Sequence, residues 1–332
     1  MSHRIYPSVG SPLLTVVATR LSREHSIVHL SMDLLICDAY SARIIDRDLL
    51  AVLTHRDRPL EPLRTSFRDF VHAASRFEQT PEFAKARDYW IARAGAFPPP
   101  PALPLRLQRL HGRRSSRFRR LEWHMPASAW PPLRAESVRR GLTPSGVLCS
   151  AFAQILGMWS AERRFAINMT LFDRFPHHPQ VNDLVGVFTT TFLLEVEHES
   201  VPFATFAQRL QQRLWADIEH RHFNGVRFLR ELRTRGALDA LGYPIVFTST
   251  LGNDGDSGET FPWRGECTYA ISQTSGVLVD CQIAESDDTL YLNWDVVEDA
   301  FEPGSVQQMF GTYTRLIDAL HANAGAWNLS CR

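Results

Sequence analysis

Residues 28–41 read VHLSMDLLICDAYS. Val28, Leu30 and Met32 alternate with His29, Ser31 and Asp33, the period of a strand with one apolar face. An apolar run at 34–37 follows, flanked by Asp33 and Asp38. Ser41 is placed to cap a helix whose apolar stripe is Ile44, Ile45, Leu49, Val52 and Leu53. The stretch therefore predicts a strand, a loop holding two carboxylates, and a helix. Carboxylates beside so much apolar sequence need partners or a polar cavity. A calcium loop is excluded, because the intervening residues are apolar and the EF-hand spacing and glycine are missing.

Working outward, residues 12–20 and 26–33 read as two strands joined by a polar turn, SREH. Helices are expected at 64–76 and 80–94. The proline-rich FPPPPALPL at 97–105 can neither continue a helix nor sit inside a sheet, so a lobe boundary is expected there. Beyond it, strands are predicted at 117–125, 165–171, 185–196, 245–251, 277–284 and 290–296. Helices are predicted at 144–159, 203–220, 226–235 and 304–324, the first capped by Thr143 with Pro144 at its opening position. This mixed order predicts an α/β sandwich rather than a doubly wound parallel sheet. It divides the chain into a first lobe at 1–96, a linker at 97–116 and a second lobe at 117–327.

Composition narrows the function. The 332 residues are 44% hydrophobic and 22% charged, with a formal net charge of zero. Nothing there recruits nucleic acid or an anionic membrane. Lys85 is the only lysine, which removes the P-loop and leaves little Schiff-base chemistry. Five cysteines, Cys37, Cys149, Cys267, Cys281 and Cys331, occur without a CxxC and read as reduced thiols of a cytoplasmic protein. No 18-residue apolar run or signal-peptide pattern is present. His177-His178, His220 and His222 have no second ligand cluster at metal spacing and read as surface residues, so no metal is expected. There is no GxSxG and no GxGxxG.

Two late segments carry more chemistry. PIVFTSTLG at 244–252 is a buried strand closing on Thr248, Ser249 and Thr250, whose hydroxyls can also simply satisfy backbone groups. In ISQTSGVLVDCQ at 271–282, Asp280 interrupts an apolar strand; such a carboxylate is either paired or kept for proton transfer.

Taken in order, SFRDFV (66–71), RDYW (87–90), PALPL (101–105), LTPSGVL (142–148), NMTLFDR (168–174), VGVFTTTFLLEV (185–196), VFTSTLG (246–252), ISQTSGVLVDCQ (271–282) and LNWDVVEDAF (292–301) join the DxxxxD of Asp33 and Asp38. Together they resemble the heterocyclisation domain of nonribosomal peptide synthetases, a branch of the condensation-domain superfamily in which DxxxxD replaces HHxxxD. The chain departs from that pattern in reading GVFT for GDFT at 186–189, QTSG for QTPQ at 273–276, and Leu278 for the usual tryptophan. The family's segment preceding the SHRxYP match is expected to be missing.

The resemblance implies a two-lobed sandwich like chloramphenicol acetyltransferase, with the first lobe incomplete. It implies docking of donor and acceptor peptidyl carrier proteins at the mouths of a tunnel between the lobes, neighbouring synthetase domains, and no intrinsic cofactor. The substrates would ride on the carriers' phosphopantetheine arms. Amide condensation onto cysteine, serine or threonine and then cyclodehydration to a thiazoline or oxazoline would follow. Asp280 would be the general acid/base, oriented by Thr248, with Gln273, Ser249 and Thr189 lining the chamber. Asp33 and Asp38 would be architectural at the lobe interface, Asp38 pairing with Arg174. Amide-only condensation or acyl transfer, and an inactive scaffold that docks carriers, are the competing expectations.

Overall fold

Asp38, not Ser41, starts the first helix. The computed structural model describes residues 10–55, 59–106, 117–238, 241–252 and 268–330. The SHRxYP match, most of the glycine-rich loop after Gly252, the end of the expected linker, Cys267 and Cys331 lie outside the described residues. Two compact units are present. The first holds the described chain up to Thr80 together with Phe172–Thr189; the second holds Pro81–Leu171 and the described parts of Thr190–Thr260 and Thr268–Arg332.

In the first unit, β1 (Leu14–Arg20) and β2 (Ser26–Met32) form an antiparallel hairpin in which Val16 faces Leu30 and Ala18 faces Val28. Its turn is closed by Ser22 Oγ, which accepts from the amides of Glu24 and His25. The expected apolar face exists but is not buried: Val16 and Val28 are 58% and 54% exposed. After the hairpin, Asp33 accepts from Leu35 N at 2.9 Å in an Asx turn. That turn brings Asp38, three residues ahead of Ser41, to the N-terminus of α1 (Ala39–Thr54), where it accepts from Ser41 N at 2.8 Å. A carboxylate at this position satisfies an orphan amide and complements the helix dipole. Only part of the predicted stripe faces inward, since Ile44 is buried while Val52 and Leu53 are exposed.

Helix α2 (Phe67–Phe77) opens with a reciprocal capping box between Ser66 and Asp69. Its Phe67 and Phe70 pack on Val181, Leu184 and Phe188, with Phe67 and Phe70 meeting the Phe188 ring at 5.2 and 4.6 Å. Gly186 lies against the Phe67 ring so closely that a Cβ there would collide with it. Gly186→Ala is therefore expected to lower stability by about 1–3 kcal/mol through overpacking, read as a shift in the urea midpoint at unchanged slope.

The second unit is built on a six-stranded sheet ordered β3-β8-β7-β6-β4-β5. These strands are β3 (Arg119–Met125), β4 (Arg164–Phe172), β5 (Thr189–Glu197), β6 (Ile245–Ser249), β7 (Val279–Ser286) and β8 (Thr289–Val296). β4, β6 and β7 run parallel, and β8 pairs antiparallel with both β7 and β3. The predicted mixed order thus becomes a mixed sheet. β5 begins at Thr189 rather than 185, because the backbone at 186–188 bonds to Asp38: Asp38 N donates to Gly186 O and Phe188 N donates to Asp38 Oδ2.

Strand alternation gives the sheet two different faces. One carries Phe247, Cys281, Leu292 and Trp294, all nearly inaccessible. Against it lie α5 (Pro144–Trp159) and α8 (Ser305–Ala322), with Phe152 5.3 Å from the Trp294 ring and Tyr313 5.8 Å from it. α5 is buried on nearly all sides, as its apolar composition requires, and is capped by Thr143 as predicted. The other face carries Asn168, Val246, Asp280, Asp295 and Arg120 in one cross-strand row, beside Thr248, Gln282, Asn293 and Glu122 in the next.

Helices α3 (Pro81–Arg93), α6 (Phe203–Glu219) and α7 (Gly225–Thr234) also belong to this unit. The proline-rich stretch, expected at a lobe boundary, is fastened along the same unit. Pro99 O accepts from Ala166 N, Ala102 O from Ala161 N, and Arg106 N donates to Ala300 O. Prolines lack donors but keep their carbonyls, so the stretch bonds to the unit through single contacts rather than a ladder. α4 (Trp130–Arg139) was not anticipated. Its Pro131-Pro132 pair reads as a breaker, yet at the first turn of a helix no amide is needed.

Candidate functional site

Asp38 and Arg174 are both buried, their side chains 2% and 5% exposed, with Nη2 3.5 Å from Oδ1. The pair is part of a tight cluster within the first unit. Ser41 Oγ lies 2.7 Å from Asp38 Oδ1 and accepts from Arg174 Nη2 at 3.1 Å. Asp38 Oδ2 accepts from Phe188 N at 3.0 Å. Arg174 Nη1 donates to the carbonyls of Val181 and Leu184, and its guanidinium stacks 3.9 Å from the centre of the Phe188 ring. Burial lowers the Arg174 guanidinium from its ordinary value, and Asp38 opposes that shift. Every acceptor of Asp38 is thus used by the fold. Asp33 is half-buried and serves the Asx turn.

The second unit holds the chemically poised carboxyl. Asp280 is 8% exposed, and burial pushes its carboxyl up to about 6, opposed by Gln282 and assisted by the nearby Asp295 charge. Thr248 Oγ1 sits 3.4 Å from Asp280 Oδ1 and 3.0 Å from Thr170 Oγ1. Gln282 Nε2 donates to Asp280 Oδ2 at 2.8 Å. Asp295 is fully buried and takes a two-pronged bond from Arg120, at 2.7 and 2.5 Å, and a third bond from Ser272 N at 2.7 Å. A carboxyl raised in this way, with one oxygen beside a hydroxyl, can give or take a proton closer to neutrality than an ordinary aspartate.

Of the residues singled out from sequence, Thr248 and Asp280 are brought together. Ser249 points to the opposite face, its Oγ 2.7 Å from Ser145 Oγ at the start of α5. Successive side chains of a strand must part in this way. Gln273 is exposed in the loop before β7, and Thr189 is exposed at the start of β5. Arg120, Gln282 and Asp295 were missed. Gln282 and Asp295 fall within the quoted segments ISQTSGVLVDCQ and LNWDVVEDAF, but Arg120 has only the alternation Arg120-Glu122-His124 to mark it. The histidines singled out are partly exposed, and two of them also make contacts within the fold. His177 is half-buried 3.1 Å from Thr65 Oγ1, and His220 stacks on Tyr89 with ring centres 3.9 Å apart. Cys37, Cys149 and Cys281 are free and buried. Among the described residues no single helix is long and apolar enough to cross a membrane.

Comparison with known proteins fits this architecture. Over 312 residues, 92% of the chain, it is 34% identical to pyochelin synthetase PchF of Pseudomonas aeruginosa, covering 17% of that protein. It is 36% identical to phenyloxazoline synthase MbtB of Mycobacterium tuberculosis over 97% of the chain and 23% of that protein. The chain thus spans less than a quarter of either relative. The EpoB cyclization-docking bidomain from Sorangium cellulosum superimposes with a TM-score of 0.88 at 35% identity, over 97% of this chain and 66% of that one. The mixed α/β architecture is accordingly that of condensation domains, like chloramphenicol acetyltransferase in fold. Since the condensation domain model matches residues 5–326, nearly the whole length, the chain belongs to the condensation-domain family.

Proposed function

We propose that this chain joins a carrier-bound aminoacyl or peptidyl thioester to a carrier-bound cysteine, serine or threonine and then closes the product to a thiazoline or oxazoline. The observation that carries this reading is the buried Asp280 carboxyl, raised to about 6, with Thr248 at one of its oxygens. Similarity to a phenyloxazoline synthase and to a cyclization domain supports the same chemistry.

The acceptor amine attacks the donor thioester carbonyl, the thiol of the donor arm leaves, and an amide forms. The acceptor's own thiol or hydroxyl then adds to the amide carbonyl. Asp280 gives a proton to the resulting hydroxyl, the C–O bond breaks, and the nitrogen electron pair forms C=N. The nitrogen's proton returns to the Asp280 carboxylate, so one water is lost and the acid is restored. Thr248 orients the carboxyl, and Gln273, in the loop leading into β7, contributes to the chamber. Asp33 and Asp38 act through the fold. Donor and acceptor peptidyl carriers are the partners, each presenting its substrate on phosphopantetheine, and the chain needs no cofactor of its own.

The test supplies both loaded carriers and follows products by mass spectrometry. A product lighter than the amide by one water is expected. Amide alone, with no dehydrated product at any pH between 5 and 9, would reduce the activity to condensation.

A further inference from the structure

We infer that Arg120 is a positioning residue for ring closure: through Gln282 it dictates which oxygen of Asp280 carries the proton. This rests on the role proposed for Asp280.

Arg120, on β3, spans the row to Asp295 and Gln282. Its Nε and Nη2 hold the two Asp295 oxygens, and Nη2 also donates to Gln282 Oε1 at 3.0 Å. A guanidinium has only donors, so the Gln282 carbonyl oxygen must face it. The amide nitrogen is thereby turned the other way, donating to Asp280 Oδ2 at 2.8 Å and reaching Asp295 Oδ2 at 3.3 Å. Asp280 Oδ2 is therefore committed as an acceptor. The proton is left to Oδ1, the oxygen facing Thr248 Oγ1. The single Thr248 hydrogen goes to Thr170 while Oδ1 is protonated and swings to Oδ1 once the proton has left. Gln282 thus keeps the acid proton on the Thr248 side and prevents it from being sequestered against Asp295.

Among the described residues the charged groups around Asp280 are few. β8 brings Asp295 and β3 brings Arg120, whose own charge is influenced by Glu122. β6 and β4 present Val246, Thr248, Asn168 and Thr170 on this face, none of which titrates near neutrality. Cys281 projects to the opposite face, where burial holds its thiol well above the ordinary value. A pH limb in ring closure therefore reports the Asp280 carboxyl in the field of Asp295 and Arg120.

Two variants test this in the full chain. Arg120→Lys keeps a cation for Asp295 but lacks the planar fork that also reaches Gln282. Gln282→Met removes the amide with little change of volume and leaves the Arg120–Asp295 pair intact, so it serves even if Arg120→Lys folds poorly. The probe is a carrier bearing preformed alanyl-cysteinyl thioester, which isolates ring closure; amide formation is measured separately from alanyl and cysteinyl carriers. In both variants the ratio of ring closure to amide formation is expected to fall about ten-fold or more. The pH limb should move upward, because the lost N–H favoured the charged carboxylate. A common loss of both steps, or slower ring closure with an unmoved limb, would mean a structural role only and overturn the inference. Ring closure surviving in Asp280→Asn would instead remove the reading on which it rests.

Discussion

Asp280→Asn should slow ring closure by roughly 10²- to 10⁴-fold, the range contributed by a positioned acid or base. Amide product should accumulate, since attack of a free amine on a thioester makes less use of that proton. Asparagine keeps the shape of the carboxyl and a partner for Gln282, so the loss is chemical rather than a collapse of the sheet. In the parent chain, ring closure should fall as pH rises through about 6, where the acid loses its proton. Stability follows the same titration. The folded carboxyl holds its proton more tightly than the ordinary value of 3.8, so its contribution is full below 3.8 and is lost as pH climbs toward about 6. Asp280→Asn should therefore gain in melting temperature on the parent across that window, with a constant gap above it. Equal loss of amide and ring products, or a flat stability difference from pH 3 to 8, would contradict the assignment.

Asp38→Ala is expected to cost about 3–5 kcal/mol, because it leaves the buried Arg174 cation unpaired. The same truncation removes the α1 cap and the acceptor of Phe188 N. Asp33→Ala should cost about 1 kcal/mol or less, since it gives up one half-buried turn bond. Chemical denaturation gives the totals, and hydrogen exchange of the α1 amides locates the loss. Adding Arg174→Met to Asp38→Ala should recover part of the stability, because the stranded charge goes with its partner. A double variant less stable than Asp38→Ala alone would show that Arg174 contributes mainly through its carbonyl bonds and ring stacking.

Periodicity made much of the fold legible. The hairpin, α5 with its Thr143 cap, and the strands carrying Thr248 and Asp280 follow directly from local pattern and turn chemistry. The pairing of Asp38 with Arg174 was reachable because the resemblance brought two distant segments into one frame. What escaped depends on contacts no local window contains. Asp38 displaced Ser41 as the cap because an Asx turn at Asp33 repositions the chain. β5 starts late because Asp38 claims the preceding backbone. Arg120 looks like one of many arginines until strand order places it opposite Asp295, and Ser249 looks like a neighbour of Thr248 until the pleat separates them.

The two-faced sheet also bears on how such a chain diversifies. Thr170, Thr248 and Asn293 are half-buried on the polar face, while the residues beside them in sequence anchor the apolar core. Under the proposed function, substitutions at Thr170 and Asn293 would alter the surroundings of Asp280 without disturbing the helices packed behind the sheet, while Thr248 is held by its place beside that carboxyl. In that reading, substrate preference would drift by single nucleotide changes at those two positions at little thermodynamic penalty. A combinatorial library confined to those two sites samples new surroundings for the carboxyl on a scaffold expected to stay folded.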